Sequence, residues 1–403
     1  MAVSIFSHSK VMSLILALSL PSLLFIKNGG LLILVAFLTS IYIFFADSLW
    51  RKINRIDYLI IGGFFFYFAY TLFVVIIFKS ELRELDSVSR FLIFIPLYLY
   101  SKNYKLEFNY LFYAIAFSAS LIGINILTKI FYNLNLFQEV HHTGIMSIFS
   151  GILFLFSFYI QGHTERIGGK ILFASASLFS LLGMSYYEGR GSWVAALLTI
   201  IVIFFFEKNK KKIISKIGLF VLPIALIFTL YSSNFLGFAN RINSIYHDTT
   251  GYFIENNPQS SIGGRLEMWK AALLMSKENP IVGIGVNNFN FELHKLIDQG
   301  VISEHISTYK HPHSEYLSNF IEKGIIGLLS LMVIFLLPLK YSLKSLKPVD
   351  SNNPIFSIMV LAFVIFYLVY GIVNGVFDHQ ITTLFFSVYM AIFIGLMFQE
   401  SSK

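Results

Sequence analysis

Long apolar stretches constrain the fold of this chain more than any other feature of its sequence. Most of them are long enough to cross about 30 Å of hydrocarbon as a helix. Twelve can be counted, at residues 11–26, 30–46, 57–78, 88–101, 107–132, 144–161, 169–187, 191–206, 213–231, 315–340, 354–376 and 381–398. Only 13% of the 403 residues are charged, whereas a soluble domain carries about 25%. The sequence therefore predicts an all-α integral membrane protein of about twelve transmembrane helices, the fourth of which is short.

Composition also excludes several kinds of chemistry. The chain contains no cysteine, which rules out thiolate catalysis, cysteine-ligated zinc and disulfides. Its net charge of +8 comes from basic residues in short loops, so it indicates membrane orientation and predicts no nucleic-acid partner. The first apolar stretch contains Pro21 and lacks a small-residue cleavage site, so we expect it to be retained as a span.

Lysine and arginine are distributed unequally between alternate loops. The opposite short connections are poorer in positive charge, apart from residues 79–90. Cytoplasmic loops of membrane proteins are enriched in these residues, so both termini are expected in the cytoplasm. The five basic connections contain Arg51, Lys52 and Arg55, then Lys102 and Lys105, then Arg166 and Lys170, then Lys208, Lys210, Lys211, Lys212 and Lys216, and finally Lys340, Lys344 and Lys347.

One connection, on the non-cytoplasmic side, is far longer than the others. It divides the chain into spans one to nine (1–231), a loop (232–313) and spans ten to twelve (314–403). A structureless loop of this length is improbable inside a compact domain. Apolar spacing at steps of three and four predicts an amphipathic helix that ends before Pro280 and rests its apolar stripe on the membrane. The stripe comprises Leu266, Trp269, Ala272, Leu273 and Ser276, and the expected capping residues are Ser260, Ser261 and Gly263.

Two arginines are candidates for binding an anion. Arg265 opens the predicted loop helix, where free N–H groups and the helix dipole favour negative charge. Its planar guanidinium suits phosphate by bidentate geometry. Arg190 lies between two glycines at the start of the eighth apolar stretch, where a ligand can approach the backbone closely. The alternatives are a snorkelling surface arginine at Arg265 and an interface anchor paired with Glu188 at Arg190.

His313, just before the tenth apolar stretch, is a candidate general base. Imidazole titrates near neutral pH and can take a proton from a hydroxyl group. The alternatives are a polar residue that marks the membrane interface, or a fragment of a metal site with His311, although no further ligand pattern supports a metal. We expect His311 to matter less, because it precedes a proline and is biased away from helical geometry.

Other polar residues lie close to predicted span ends. Asp378 is expected to pair with an arginine or to orient a histidine, since an unpaired carboxylate at that depth is costly. Its neighbour His379, and the pair His141 and His142 at the start of the sixth stretch, are candidate supporting residues. Three further charges are interpreted as interface or packing residues: Lys129, Glu322 and Lys323.

Several of these segments, taken in order, resemble a known family. Arg265-Leu-Glu-Met-Trp269, followed by Asn279-Pro280-Ile-Val-Gly283-Ile-Gly285, resembles the large periplasmic loop of the O-antigen ligase and polymerase superfamily. His313-Ser314, then nine residues and Gly324-Ile-Ile-Gly327, resembles the histidine motif of the ligases, and Gly189-Arg-Gly-Ser192 is similar to their earlier arginine motif. The order of spans and loop also resembles the ligase architecture, although the first hundred residues do so only in hydropathy.

The resemblance implies a GT-C-like, inverting, metal-independent glycosyltransferase in the bacterial inner membrane, with its active site facing the periplasm. It would move O-antigen from undecaprenyl diphosphate to a sugar hydroxyl of lipid A–core in lipopolysaccharide, among membrane lipids and without a cofactor. Carried over by motif, Arg190 and Arg265 would bind the donor diphosphate and His313 would be the base or orient the acceptor. Asp378 looks like an acidic position near the end of the ligases.

Three other functions remain open from the sequence. A polymerase of the same superfamily uses the same donor but a lipid-linked glycan as acceptor, and a protein O-oligosaccharyltransferase transfers to a protein. A transporter or flippase would be indicated by two similar halves and by charges near the bilayer midplane. Here the candidate charges cluster at one membrane face. No carboxylate pair at glycosidase spacing is visible, which argues against hydrolysis.

Overall fold

A computed structural model describes residues 2–27, 29–137, 141–187, 189–206, 238–254, 257–346 and 355–401. Every regular element within these ranges is a helix, which confirms the predicted all-α class. The first nine helices are α1 (Ala2–Phe25), α2 (Leu31–Ala46), α3 (Arg55–Ile77), α4 (Asp86–Ser89), α5 (Phe94–Asn103), α6 (Phe108–Tyr132), α7 (Thr143–Gln161), α8 (Ile167–Tyr186) and α9 (Arg190–Phe206). The long connection contains α10 (Phe238–Ile254), α11 (Ser261–Met275) and α12 (Phe289–Asp298), and the chain continues with α13 (Glu315–Ser345), α14 (Ile355–Tyr370) and α15 (Gln380–Ser401).

Seven of the described helices, α1, α3, α6, α7, α8, α13 and α15, are long and apolar enough to cross a membrane. Three shorter apolar helices, α2, α9 and α14, accompany them. The short fourth stretch comprises the end of α4, a 3₁₀ turn at Arg90–Ile93 and α5, which follow one another without a gap. The ninth stretch, 213–231, lies outside the described residues. The chain is thus a multi-pass membrane protein, and the number of spans and their orientation stay predictions.

Helices α7 and α15 form the centre of the bundle. In the most apolar segment of each of these two helices, 89% of the residues are buried inside the bundle. The outer helices instead expose large apolar side chains, including Leu31, Phe65, Phe117, Leu178 and Phe205. A soluble protein rarely exposes apolar surface on this scale, whereas lipid tails are a suitable environment for it.

Helix α13 is broken at Gly324, where the backbone adopts φ +65° and ψ −167°. The segment 280–285 fills the break. The amide of Ile284 donates to the Ile321 carbonyl at 2.8 Å, and the Gly285 amide donates to the Glu322 carbonyl at 3.0 Å. In the opposite direction, the amide of Ile325 donates to the Pro280 carbonyl at 2.9 Å. The backbone groups that the break releases therefore find new partners, as buried amides and carbonyls must.

Only glycine fits at this break. A Cβ built on Gly324 would lie 2.0 Å from the Ile281 carbonyl oxygen, and the residue's positive φ disfavours any other side chain. The two glycine-containing motifs noted in the sequence, 283–285 and 324–327, therefore meet in space. Their contact fixes the long loop to the start of the tenth predicted span.

The loop has a small hydrophobic core of its own. Met268, Ala272 and Met275 of α11 pack with Phe289 and Leu293 of α12, and Ile321 of α13 joins the same core. Ser260 caps α11 by accepting a hydrogen bond from the Gly263 amide at 2.9 Å, which confirms the expected start of this helix.

The apolar stripe predicted for α11 was expected to rest on the membrane, and it only partly coincides with the face that packs in the loop core. Leu273 is 53% exposed, and Leu266 and Trp269 are only half-buried. Met268, Ala271 and Met275 are buried in their place, beside Ala272. The helix is apolar on more than one side, so residue spacing alone did not select the face that packs on α12.

A buried ion pair joins α3 to α5. Asp57 is fully buried, and both of its carboxylate oxygens accept hydrogen bonds from Lys102 Nζ at 2.7 Å. The Tyr98 hydroxyl also donates to this carboxylate, and the Asn54 amide donates to it as part of a capping box at the start of α3. Removing one partner of such a pair leaves an uncompensated charge in the interior.

We expect Asp57→Ala to lower the free energy of unfolding by about 3–5 kcal/mol, because Lys102 and Tyr98 lose their shared acceptor. The matched control is Glu292→Ala, which removes the exposed ion pair with Lys295 (2.7 Å) and should cost less than about 1 kcal/mol. Thermal unfolding of the two variants in detergent measures the difference. Equal shifts of the unfolding midpoint would show that the buried ion pair stabilises the protein no more than the exposed one.

Candidate active site

Arg190 and Arg265 line the same cavity, which has a volume of about 600 Å³. Arg190 is the first residue of α9 and Arg265 lies in the second turn of α11. The cavity is completed by the start of α7 and by the end of α14 with the turn that follows it, notably Gly144, Tyr370 and Asn374. Two candidates that are far apart in sequence therefore converge on one site.

Close packing at the start of α9 positions Arg190. A Cβ on Gly191 would lie 2.8 Å from Val373 and 3.2 Å from the Tyr370 ring, so only glycine lets α9 approach α14 this closely. The sequence had suggested that this glycine serves the approach of a ligand. In the structure it serves helix packing, and the packing in turn places Arg190 at the cavity wall.

The two guanidinium groups repel each other at the cavity, where Arg265 is half-buried and Arg190 is exposed. Burial lowers the pKa of Arg265, and the nearby charge of Arg190 lowers it further, while Tyr370 and Tyr309 act in the opposite direction. Arginine side chains keep their positive charge in proteins, so this repulsion is present before any ligand binds. A bound anion would relieve this repulsion, and a diphosphate offers oxygens to both planar groups.

The same cavity has an apolar extension along α9. Val194 and Leu198 follow Arg190 at steps of four residues, so all three lie on one face of the helix. Val194 is 53% exposed and Leu198 is 42% exposed. The cavity thus combines a cationic end with an apolar surface open to the outside of the bundle.

His313 lies beside this cavity in a strained backbone conformation. Its φ of +49° is unusual for a residue other than glycine and costs about 1–3 kcal/mol. Its Nδ1 is 3.5 Å from the Asn374 side-chain oxygen, a long hydrogen bond. Trp269, one turn beyond Arg265 on α11, donates its indole N–H to the Pro312 carbonyl at 3.0 Å. The helix that carries Arg265 therefore also holds the His313 backbone.

The imidazole of His313 is neutral at physiological pH. Burial lowers its pKa to about 4, and His311 and Arg265 contribute to the shift because each would repel a second positive charge. If Nδ1 carries the proton that faces Asn374, Nε2 is left with a lone pair. A neutral imidazole of this kind can accept a proton.

Asp378 approaches a histidine rather than an arginine. Its carboxylate lies 3.5 Å from Nδ1 of His311, whose ring is 4.4 Å from that of His313. Burial lowers the pKa of His311 and raises the pKa of Asp378. Asp378 therefore reaches the site through His311, and the two histidines lie side by side.

The other candidate histidines lie further out. Nε2 of His141 is hydrogen-bonded to the Leu23 carbonyl of α1 at 2.7 Å. The rings of His142 and His379 are 6.1 Å apart, and burial together with the neighbouring histidines lowers the pKa of His379. Of these residues, His379 lies close enough to His311 for the two imidazoles to interact electrostatically. Within the described ranges, no three His, Asp or Glu side chains converge as metal ligands would.

A second cavity, of about 270 Å³, lies on the far side of the histidine pair. His311 and Asp378 line it, together with Glu322 and Lys323 of α13. The sequence had suggested that Glu322 and Lys323 are packing charges. In the sequence these two residues form no motif that points to a site, and only the tertiary structure shows that they line a cavity.

Comparison with known proteins supports the same region. The family model of O-antigen ligase matches residues 175–332, a segment that includes Arg190, Arg265, His311 and His313. A Haemophilus influenzae protein described as uncharacterized is 27% identical over 350 residues, covering 84% of this chain and 86% of its own length. Members of that family are glycosyltransferase-like enzymes that act on lipid-linked glycans. The match at residues 175–332 confirms the resemblance of this chain to the O-antigen ligase and polymerase superfamily.

Proposed function

We propose that this protein is an O-antigen ligase. It transfers a glycan from undecaprenyl diphosphate to a sugar hydroxyl of lipid A–core, at the periplasmic face of the inner membrane. The observation that carries the proposal is the convergence of Arg190 and Arg265 on one cavity, with His313 beside it. A lipid-linked diphosphate needs fixed cations for its head and an apolar surface for its chain.

The arginines supply the electrostatic part of the reaction. When the bond from the donor sugar to the diphosphate breaks, its electron pair goes to a phosphate oxygen. Preorganised cations stabilise that developing charge because they need no rearrangement as the reaction proceeds. Val194 and Leu198 would lie along the polyprenyl chain of the same donor. Two guanidinium groups thus perform the role that a metal ion has in other glycosyltransferases.

His313 supplies the proton chemistry. The acceptor hydroxyl gives its proton to Nε2 of His313 while its oxygen attacks the anomeric carbon on the face opposite the diphosphate, which inverts the configuration. A pKa of about 4 makes the free imidazole a weak base. Burial is the main cause of this low pKa, so a bound diphosphate, which offsets the charge of Arg265, would raise the pKa of His313 only in part.

The polymerase of the same superfamily is the second candidate, because it would use the same donor cavity. A deletion strain separates the two functions. We expect lipid A–core without O-antigen on a lipopolysaccharide gel, and long glycans accumulating on undecaprenyl diphosphate. Core capped with a single repeat unit would identify a polymerase instead. A normal lipopolysaccharide profile together with loss of glycan from a protein would identify a protein O-oligosaccharyltransferase. If lipopolysaccharide, lipid-linked glycans and glycoproteins were all unchanged, a transporter would become the preferred function.

Arg265→Ala should lower the rate of transfer about 10²–10³-fold, since one preorganised donor to the leaving group is lost. Arg190→Ala should act in the same direction. Arg265→Lys should recover only part of the rate, because an ammonium cannot form the bidentate contact. Transfer by purified protein, with expression and insertion verified, measures the effect, and a chelator should change it little. Near-full activity of Arg265→Ala would remove the diphosphate role from this arginine.

His313→Ala should lower kcat about 10²–10⁴-fold, the usual contribution of a general base, and leave binding of undecaprenyl diphosphate intact. His311→Ala is the matched control, because it removes a neighbouring imidazole of the same segment. We expect a milder loss of kcat there. Steady-state kinetics with saturating donor distinguishes the two variants. A larger kcat loss in His311→Ala would transfer the role of base to His311.

A further inference from the structure

The second cavity has an unusually polar wall. Its sides come from α3, α4, α13 and the turn between α14 and α15. Lys323 is 5% exposed and Glu315 is 2% exposed, so two ionisable side chains are buried beside it. Such groups are costly to bury unless they are bonded or serve a ligand.

The buried groups hold one another through a chain of hydrogen bonds. Lys323 Nζ donates to the Tyr67 hydroxyl at 3.0 Å and to the Asn319 side-chain oxygen at 2.8 Å. Asn319 donates to Glu315 at 2.8 Å, and the Phe377 amide donates to the other oxygen of Glu315 at 3.0 Å. This network fixes the cavity wall before any ligand arrives.

Several polar atoms in the wall keep bonding capacity for a ligand. Ser318 is 6% exposed, and its hydroxyl is buried without a hydrogen-bond partner among the described residues. An ammonium has three N–H groups, of which Lys323 uses two. Glu322 accepts the Asn287 amide on only one of its two oxygens. Buried polar groups nearly always have a partner, so unused donors and acceptors around one space indicate a polar ligand with several hydroxyls.

The charge of the cavity limits which ligand can enter. Two lysines, Lys310 and Lys323, face four carboxylates, those of Glu84, Glu315, Glu322 and Asp378. A phosphorylated ligand would meet more carboxyl groups than ammonium groups around it. An uncharged ligand would meet both donors and acceptors. The first cavity, with its two arginines, instead favours an anionic ligand.

The two cavities meet at the histidine pair. His311 lines the second cavity, and Asn374, the partner of His313, lines the first. The rings of His311 and His313 are 4.4 Å apart. A hydroxyl that projects from the second cavity would therefore reach His313 next to a diphosphate held in the first.

We propose that the second cavity binds the acceptor, as an uncharged sugar whose hydroxyl is presented to His313. The proposal rests on the glycosyltransferase function above and assigns the acceptor site of that reaction. A volume of about 270 Å³ is near the lower end of small-molecule sites, about 300–1,000 Å³, which suits a single sugar residue. Ser318, Glu322 and Lys323 bind its hydroxyls, and His311 with Asp378 positions the ring at the junction.

The test compares two substitutions of one kind on the same helix. Ser318→Val removes the unused hydroxyl from the cavity wall. The control, Ser330→Val, removes a buried hydroxyl beyond the break that donates to the Gly327 carbonyl and lines neither cavity. Full-length protein is assayed with a glycan on undecaprenyl diphosphate and with lipid A–core as acceptor. A second variant, Glu322→Gln, keeps the shape of the side chain and can still accept the Asn287 amide.

We expect Ser318→Val and Glu322→Gln to raise the KM for lipid A–core about 3- to 10-fold, the effect of one lost hydrogen bond. The donor KM and the binding of undecaprenyl diphosphate should match those of the wild type and of Ser330→Val. We expect the wild-type protein to transfer to an unphosphorylated acceptor sugar faster than to a phosphorylated one. Glu322→Gln should reduce the ratio of these two rates. Acceptor KM values equal to that of Ser330→Val would overturn the acceptor site while leaving the transfer function intact. A wild-type protein that transfers no glycan would overturn both.

Discussion

The docking of segment 280–285 into the break at Gly324 is the interaction on which the rest of the site depends. A broken helix exposes carbonyl and amide groups that cannot stay unpaired in a buried position. The loop satisfies them, and the Tyr70 hydroxyl bonds the Lys323 carbonyl at 3.0 Å. Because the loop core includes Ile284 and Ile321, this contact also carries α11 and Arg265 to the bundle. Together with the Trp269 bond to Pro312, it holds the arginine of the loop opposite the arginine of α9.

The site that results has two sides of opposite electrostatic character. Arg190 and Arg265 make one cavity cationic, and a group of carboxylates gives the other an acidic wall. Such a division separates an anionic donor from an uncharged acceptor by charge alone, since each cavity disfavours the wrong substrate. The histidine pair stands at the boundary, where a proton has to move from one substrate as the bond in the other breaks.

The site is maintained at a cost in stability. Two like charges line one cavity, His313 has a left-handed backbone, and the Ser318 hydroxyl has no hydrogen-bond partner in the part of the chain that the structure describes. Each feature is energetically unfavourable by itself, and locally unfavourable conformations and contacts are concentrated at functional sites. The Trp269 bond to Pro312 and the Lys323 network show how the surroundings offset the strain.

The sequence by itself determined the helical class, the membrane character, the start of α11 at Ser260, and Arg190, Arg265 and His313 as the residues to examine. These follow from periodicity, hydropathy, capping chemistry and short motifs, all of which act over a few residues. Only the tertiary structure decided that Asp378 reaches His311, that α11 buries Met268 rather than Leu273, and that Glu322 and Lys323 line a cavity. Helices of similar hydropathy do not specify their neighbours, and which side chains meet depends on packing and on the break at Gly324.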